Sequence, residues 1–283
     1  MEILSYSFMQ RALVIGIIVS LICSTVGLFL VLRRFSMVGD TLSHVALAGV
    51  ALGMVTNIYP VYTAIFMSVG ASLIIERLRR EYEKYAELSL AIILAAGIGI
   101  ASVLISVGRG KTSGIMSYLF GSISLVTIED LYAVILLGFI IIGSIIFLYR
   151  ALFYITFDEE SAKLSGVSVK KINLYFSVLV ALSITISMRI VGILLVSSLM
   201  TIPVATSLQV SKSFKQALLY ANLFGLVSVI IGLVSSFYLD IAPGGTIVIT
   251  SLFILLIVIT IKNLLVAFDK KSRNNEFRGC KYE

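Results

Sequence analysis

Apolar runs long enough to cross a bilayer alternate with short polar stretches along almost the whole chain. A transmembrane helix needs about 20 mostly apolar residues, and nine runs approach or reach that length. We therefore predict an all-α integral membrane protein with about nine transmembrane helices, forming a single transmembrane domain over residues 1–283. The predicted spans are Leu13–Leu32, Phe35–Thr56, Ile58–Ile75, Leu88–Val107, Leu131–Leu148, Ile172–Met188, Ile190–Leu208, Ala217–Leu239 and Thr246–Ile261.

The polar stretches between the runs predict loops of unequal length. Residues 76–87 form a charged loop and residues 108–127 a turn-rich one. In the polar stretch 149–171, Asp158 is expected to begin a short helix that ends near Gly166, because acidic residues are favoured at helix N-termini. Residues 262–283 form a polar tail, which we expect to be loosely ordered.

The composition agrees with a membrane protein. The chain is 59% hydrophobic and only 13% charged, with a mean hydropathy of +1.08. Its net charge of +7 does not indicate nucleic-acid binding, because the charges lie between apolar runs. The two isolated cysteines, Cys23 and Cys280, give neither a disulfide framework nor a zinc-finger spacing. We expect a multi-pass protein of the cell (inner) membrane.

The positions of the basic residues predict the orientation. Cytoplasmic loops are enriched in Lys and Arg. Placing Arg33 and Arg34 inside leaves only four basic residues outside, and the other 18 of the 22 lie inside. We therefore predict that the N-terminus is outside and the C-terminus inside. The four outside residues are Arg11, Arg109, Lys111 and Arg189.

The second span carries an acid and the only histidine of the chain, Asp40 and His44. Apart from Arg189 at a boundary, they are the only Asp, Glu, Lys, Arg or His residues within the predicted spans. Residues four apart share a helix face. His44 is ten residues beyond Arg34, which places it roughly 15 Å deeper, near the midplane of a bilayer. Ionisable residues at that depth indicate a substrate or ion path.

The chemistry of this pair suits a borderline divalent ion such as zinc or manganese. Two ligands are too few for a closed site, but two copies about a two-fold axis would supply four. A proton-coupled secondary transporter would use the same pair as a proton relay. A membrane metalloenzyme would use the pair to hold a catalytic metal and would need a general base or nucleophile near the same depth, where the spans offer only hydroxyls. A purely structural subunit would not need the pair.

Several stretches resemble the permeases of ATP-binding-cassette importers for zinc, manganese and iron. The most specific is GDTLSHVALAGVALG at 39–53, and three further stretches match in order across most of the chain: YLFGSIS at 118–124, FDEESAKLSGV at 157–167, and VGILLVSSLMTIPVATSLQVSKSFKQAL at 191–218. The resemblance implies that Asp40 and His44 handle the metal. It also implies a homodimer, two ATPase subunits inside and a metal-binding protein outside. We expect no permanently bound cofactor.

The resemblance also bears on the choice of metal. Many manganese-type members carry a proline at the position of Ala48, and this departure, together with Thr41, favours zinc as the transported ion.

ATP hydrolysis is expected in a separate chain, so this chain is not predicted to be an enzyme. The stretch Gly108–Thr112 lacks the first glycine of a phosphate-binding loop, where Ile105 stands. The segment Thr201–Ala217 resembles the family's ATPase-docking segment, while the helix predicted at Asp158 is expected to be solvated. The predicted docking residues are Pro203, Gln209, Lys212 and Lys215, and the predicted solvated helix ends on the outer edge are Glu129, Asp130 and Asp240.

Overall fold

A computed structural model describes residues 6–82, 86–108 and 114–279. Within these residues the regular structure is entirely helical, and nine of the helices are long and apolar enough to cross a membrane, which confirms the predicted fold class. The helices are α1 Ser7–Leu32, α2 Ser36–Thr56, α3 Pro60–Glu81, α4 Ala86–Val107, α5 Ile115–Phe120, α6 Ile128–Phe157, α7 Glu159–Leu164, α8 Val169–Val191, α9 Ile193–Val210, α10 Phe214–Leu239 and α11 Pro243–Gly279.

Several helices are longer than their apolar runs predicted. Helix α6 continues to Phe157, so the first third of the predicted polar stretch is helical. Helix α11 continues to Gly279, and the prediction of a loosely ordered tail is wrong for residues 262–279. Helix α9 passes through Pro203 without a break. Because the helices are longer, further charged residues such as Glu76 and Arg150 also fall within them.

Two short helices lie outside the spans. The predicted loop 108–127 contains α5, which was not expected, while most of its GRGKT turn lies outside the described residues. The prediction of a short helix at Asp158 is confirmed by α7. The Asp158 side chain caps this helix by accepting a hydrogen bond of 2.9 Å from the backbone N–H of Ser161. Hydrogen bonds from Ser161 lower the pKa of the Asp158 carboxyl.

Helices α1, α2 and α8 lie at the centre of the bundle, and α4, α6 and α11 lie at its periphery. About two thirds of each central span is buried, against about a fifth of each peripheral one. Outward-facing leucine, isoleucine and phenylalanine side chains are stable on peripheral helices when lipid surrounds them. The predicted site residues of α2, Asp40 and His44, therefore lie on a helix that is held on several sides by protein.

The bundle has two distinct ends. One end, which we call the basic end, contains the turn between α1 and α2, helix α7, and the turn between α9 and α10. Arg33 Nη2 donates a 2.6 Å hydrogen bond to Asn173 Oδ1 there, and Lys262 Nζ donates one of 3.1 Å to Gln209 Oε1. The opposite end contains α5 and the starts of α3, α6, α9 and α11.

Candidate metal centre

Asp40 and His44 lie one turn apart near the start of α2, and both reach a surface of the isolated chain. Asp40 is exposed and His44 is half-buried. Neither makes a hydrogen bond or ion pair with the described residues, and the His44 Nδ1 atom is buried without a partner. A carboxylate and an imidazole that no protein group satisfies are available to bind a cation.

Glycines fix the position of α2 against its neighbours. A Cβ atom placed on Gly97 of α4 would lie 3.2 Å from the carbonyl carbon of His44. One placed on Gly49 would lie 2.5 Å from the Cα of Ala64 in α3. Gly53 contacts the same helix near Pro60, so both glycines allow α2 and α3 to pack closely. Larger residues at these positions would push α2 away from its neighbours and displace His44.

Hydroxyl groups lie beside the candidate ligands. Gly39 packs on Ser197 of α9, whose Oγ would be 3.4 Å from a Cβ atom on that glycine. Thr41 Oγ1 donates to the carbonyl oxygens of Met37, at 3.0 Å, and Leu90, at 3.4 Å, which joins α2 to the start of α4. In the described part of the chain, no three His, Cys, Asp or Glu side chains come together around a possible metal ion. Within those residues, Asp40 and His44 therefore have no third side chain of these types beside them.

The predicted docking residues lie at the basic end, where the structure gives them different surroundings. Pro203 is buried within α9, so it does not present a surface. Gln209 is half-buried, while Lys212 and Lys215 are exposed. The Lys212 backbone N–H donates to Gln216 Oε1 at 3.0 Å, which fixes the turn between α9 and α10.

Helix α7 presents an exposed surface at the same end. Leu164, its last residue, is 89% exposed, and Phe157 just before the helix is 62% exposed. The helix is attached to the bundle by Ala162, which packs with Ile155 and Val169.

A buried ionic network at the opposite end was missed by the sequence analysis. Asp130 was expected to be a solvated helix end, but it is only 4% exposed, so this expectation is wrong. Arg189 Nε lies 3.1 Å from Asp130 Oδ1, and Arg189 Nη2 donates to the Tyr59 hydroxyl at 2.9 Å. The Tyr59 hydroxyl donates to Asp130 Oδ1 at 2.8 Å, and burial raises the pKa of Tyr59, which keeps it a proton donor. Glu129 and Asp240 are exposed, as predicted.

This network joins two of the stretches that carried the resemblance. The Arg189 guanidinium lies 4.9 Å from the ring centroid of Tyr118 in α5, and the Arg189 carbonyl oxygen accepts a 3.2 Å hydrogen bond from the Ser122 N–H. Gly121 and Gly192 have φ angles of +79° and +87°, and their backbones are in contact. The sequence does contain one signal of this network. Arg189 interrupts a long apolar run, and a charge in such a place requires a partner.

The chain was compared with known proteins. Residues 5–262 match the model of the ABC 3 transport family. The "Probable metal transport system membrane protein" of Treponema pallidum (strain Nichols) is 40% identical over 91% of this chain and 97% of the relative. Two further relatives are each 30% identical. They are the "High-affinity zinc uptake system membrane protein ZnuB" of Haemophilus influenzae (88% of this chain, 95% of the relative) and the "Manganese transport system membrane protein MntC" of Halalkalibacterium halodurans (88% and 86%).

A solved structure is similar over most of its length. It is described as "PsaBC from Streptococcus pneumoniae in complex with Fab", and one of its chains superposes with a TM-score of 0.79 at 27% identity. The match covers 89% of this chain and 91% of that chain.

Proposed function

The chain belongs to the ABC 3 transport family, and we propose that it is the permease subunit of an ATP-driven importer of divalent metal ions. Asp40 and His44 supply ligands for the ion in transit. The observation that carries this proposal is the position of an unpartnered carboxylate and an unpartnered imidazole on one helix inside the membrane bundle. The names of its relatives, which refer to metal, zinc or manganese transport, support the same class of cargo.

The depth of the pair supports a role in transport. His44 lies ten residues beyond Arg34, or about 15 Å along the helix axis. Asp40 lies about 6 Å nearer the basic end. Polar and ionisable groups at such depths are costly unless they line a path or bind an ion.

We further propose that two copies of the chain form the transporter. Asp40 is exposed on the isolated chain, and an exposed carboxylate within a membrane bundle is unfavourable against lipid. A second copy would cover Asp40 and add a second Asp and His. Four such ligands match the coordination number that zinc prefers.

The energy is proposed to come from separate ATPase subunits that bind at the basic end. Lys212 and Lys215 remain the predicted docking residues, and their exposure is consistent with that role. The exposed Leu164 of α7 adds an apolar contact to the same surface. A metal-binding protein would deliver the ion at the opposite end.

Zinc is proposed as the preferred cargo over manganese. Ala48 stands one turn beyond His44, fully buried, at the position where many manganese-type members carry proline. A helix without proline there keeps all its backbone hydrogen bonds, which holds the pair at regular helical spacing. Imidazole and carboxylate ligands in a small closed set favour zinc.

The test is metal uptake by vesicles that contain this chain, its ATPase and its binding protein. Zinc, manganese and iron(II) are offered separately and in competition, with ATP or a non-hydrolysable analogue inside. We expect zinc uptake that requires both ATP and the ATPase subunit. Uptake that persists without the ATPase and follows a proton gradient would instead establish the alternative, a proton-coupled secondary transporter.

The proposed orientation, with the N-terminus outside and the C-terminus inside, makes a separate prediction. In a Cys280→Ser background, where buried Cys23 stays unlabelled, single cysteines are introduced at exposed Ala242 and exposed Ser165, which lie at opposite ends. A membrane-impermeant maleimide should label Ala242→Cys in intact cells and Ser165→Cys only after permeabilisation. The Cys280→Ser chain alone is the unlabelled control. The reverse pattern would place the basic end outside.

A further inference from the structure

A cavity of about 200 Å³ opens at the basic end, between α1, α2, α3, α4 and α8. Five charged residues line it, so the lining carries one net positive charge. They are Arg33, Arg34, Arg79, Glu76 and Glu87. Apolar side chains, among them Val38 and Phe176, form most of the remaining wall. The cavity is separate from Asp40 and His44, neither of which lines it.

Two arginines converge on one aromatic ring at this cavity. The guanidinium carbon of Arg79 lies 4.4 Å from the ring centroid of Phe35, and that of Arg33 lies 5.4 Å from the same centroid. Arg79 is 3.5 Å from the buried carboxylate of Glu76, which offsets its charge. The two guanidinium groups repel each other, and Glu76 offsets by direct contact only the charge of Arg79.

Arg33 has no carboxylate partner within 4 Å in the described part of the chain. Its hydrogen-bond acceptor is the neutral side-chain oxygen of Asn173, at 2.6 Å. Burial, together with the charge of Arg79, lowers the pKa of Arg33 to about 10. Arg33 is half-buried, and charges withdrawn from water are normally paired, so this guanidinium is expected to take an anion.

The start of α2 reinforces this preference for an anion. No side chain caps the helix at Phe35. Among the amide groups of its first turn, the Val38 N–H donates to the Phe35 carbonyl oxygen, and Met37 and Val38 of this turn line the cavity. The N-terminus of a helix attracts anions through these amides and through the helix dipole.

We propose that this cavity binds a phosphate-bearing anion, which is held by Arg33 and Arg79 at the uncapped start of α2. Guanidinium groups match phosphate oxygens through paired hydrogen bonds. The phosphate has two possible sources, the headgroup of an anionic phospholipid and free inorganic phosphate. The cavity lies where α1 ends and α2 begins, and basic pockets between helices at the cytoplasmic surface suit lipid headgroups.

The test uses the full-length chain, delipidated in detergent and titrated with phosphatidylglycerol or phosphatidylcholine while bound lipid is counted by native mass spectrometry. Phosphatidylglycerol should bind more tightly, and Arg33→Gln should weaken that binding about tenfold, the effect of losing a charge-assisted hydrogen bond. Arg77→Gln is the matched control, since Arg77 lies on α3 at the same end with an 84% exposed side chain. Its lipid binding should be unchanged.

A second variant keeps the proposal testable if Arg33→Gln fails to fold. Asn173→Asp has almost the same shape and supplies a fixed anion beside Arg33. It should raise the melting temperature of the delipidated chain and abolish the further rise that phosphatidylglycerol gives to wild type. In a parallel arm, sodium phosphate is compared with sodium chloride at matched ionic strength. Stabilisation by phosphate that depends on Arg33 would support the proposal and name free phosphate as a source.

Two results would overturn the proposal. One is equal binding of both lipids, together with no effect of phosphate on the melting temperature. The other is a loss of phosphatidylglycerol binding in Arg77→Gln as large as in Arg33→Gln, because the effect would then reflect overall charge. An acidic side chain of a partner protein would become the alternative occupant in the first case.

Discussion

Replacing Asp40 by asparagine or His44 by alanine should abolish ATP-driven metal uptake while leaving the protein folded and inserted. Asparagine keeps the size of the side chain but lacks the negative charge, and alanine removes the imidazole. Substituting partners outside the first ligand shell already weakens metal sites 10- to 100-fold. We therefore expect uptake to fall at least about a hundredfold. The measurement is radioactive zinc uptake by vesicles that contain equal amounts of each variant.

The matched control for Asp40→Asn is Glu129→Gln, which also removes one exposed carboxylate. It lies at the opposite end, away from α2, and should transport like wild type. Thermal unfolding and copurification with the ATPase should be the same in all variants, because neither Asp40 nor His44 is bonded to the described protein groups. Near-normal uptake by both α2 variants would rule out the proposed metal site.

The order of the spans and the family could be predicted from the sequence. A long apolar run predicts a membrane helix without knowledge of its neighbours, because such a helix satisfies its own backbone hydrogen bonds. The GDTLSHVALAGVALG stretch was specific enough to indicate the membrane subunits of metal importers, and the family match confirms that resemblance. Asp158 indicated the start of α7 because a side-chain cap acts within three residues.

The features that were missed depend on contacts between distant parts of the chain. Asp130 and Arg189 are 59 residues apart, and hydropathy alone gives no reason to pair them. The ends of α6 and α11 extend beyond their apolar runs because polar residues at a membrane boundary do not break a helix. In α11, for example, Lys262 lies just beyond the apolar run and donates a hydrogen bond to Gln209 of α9. The exposure of Asp40 also depends on how α2 packs against its neighbours, so it cannot be predicted from the spacing of residues in the sequence.

Breaking the Asp130–Arg189 pair should cost about 3–5 kcal/mol of folding stability, the usual effect of leaving one member of a buried pair alone. Asp130→Asn would leave the Arg189 guanidinium, with its 14% exposed side chain, without a counter-charge. Arg189→Gln would likewise leave the 4% exposed Asp130 carboxylate without a counter-charge. Each variant should therefore lower the melting temperature strongly.

The double variant decides whether the two residues act as a pair. Once both charges are gone, no buried charge is left unpaired, so Asp130→Asn with Arg189→Gln should be less destabilised than the sum of the single variants. Glu129→Gln is the control for charge at this end and should change stability by less than about 0.5 kcal/mol. The measurement is the free energy of unfolding in mixed micelles for the four forms of the cycle. If the stability loss of the double variant equals the sum of the two single losses within about 0.5 kcal/mol, the two residues are not coupled. A large coupling would establish that this pair holds the start of α6 against the end of α8, because Asp130 and Arg189 belong to those two elements.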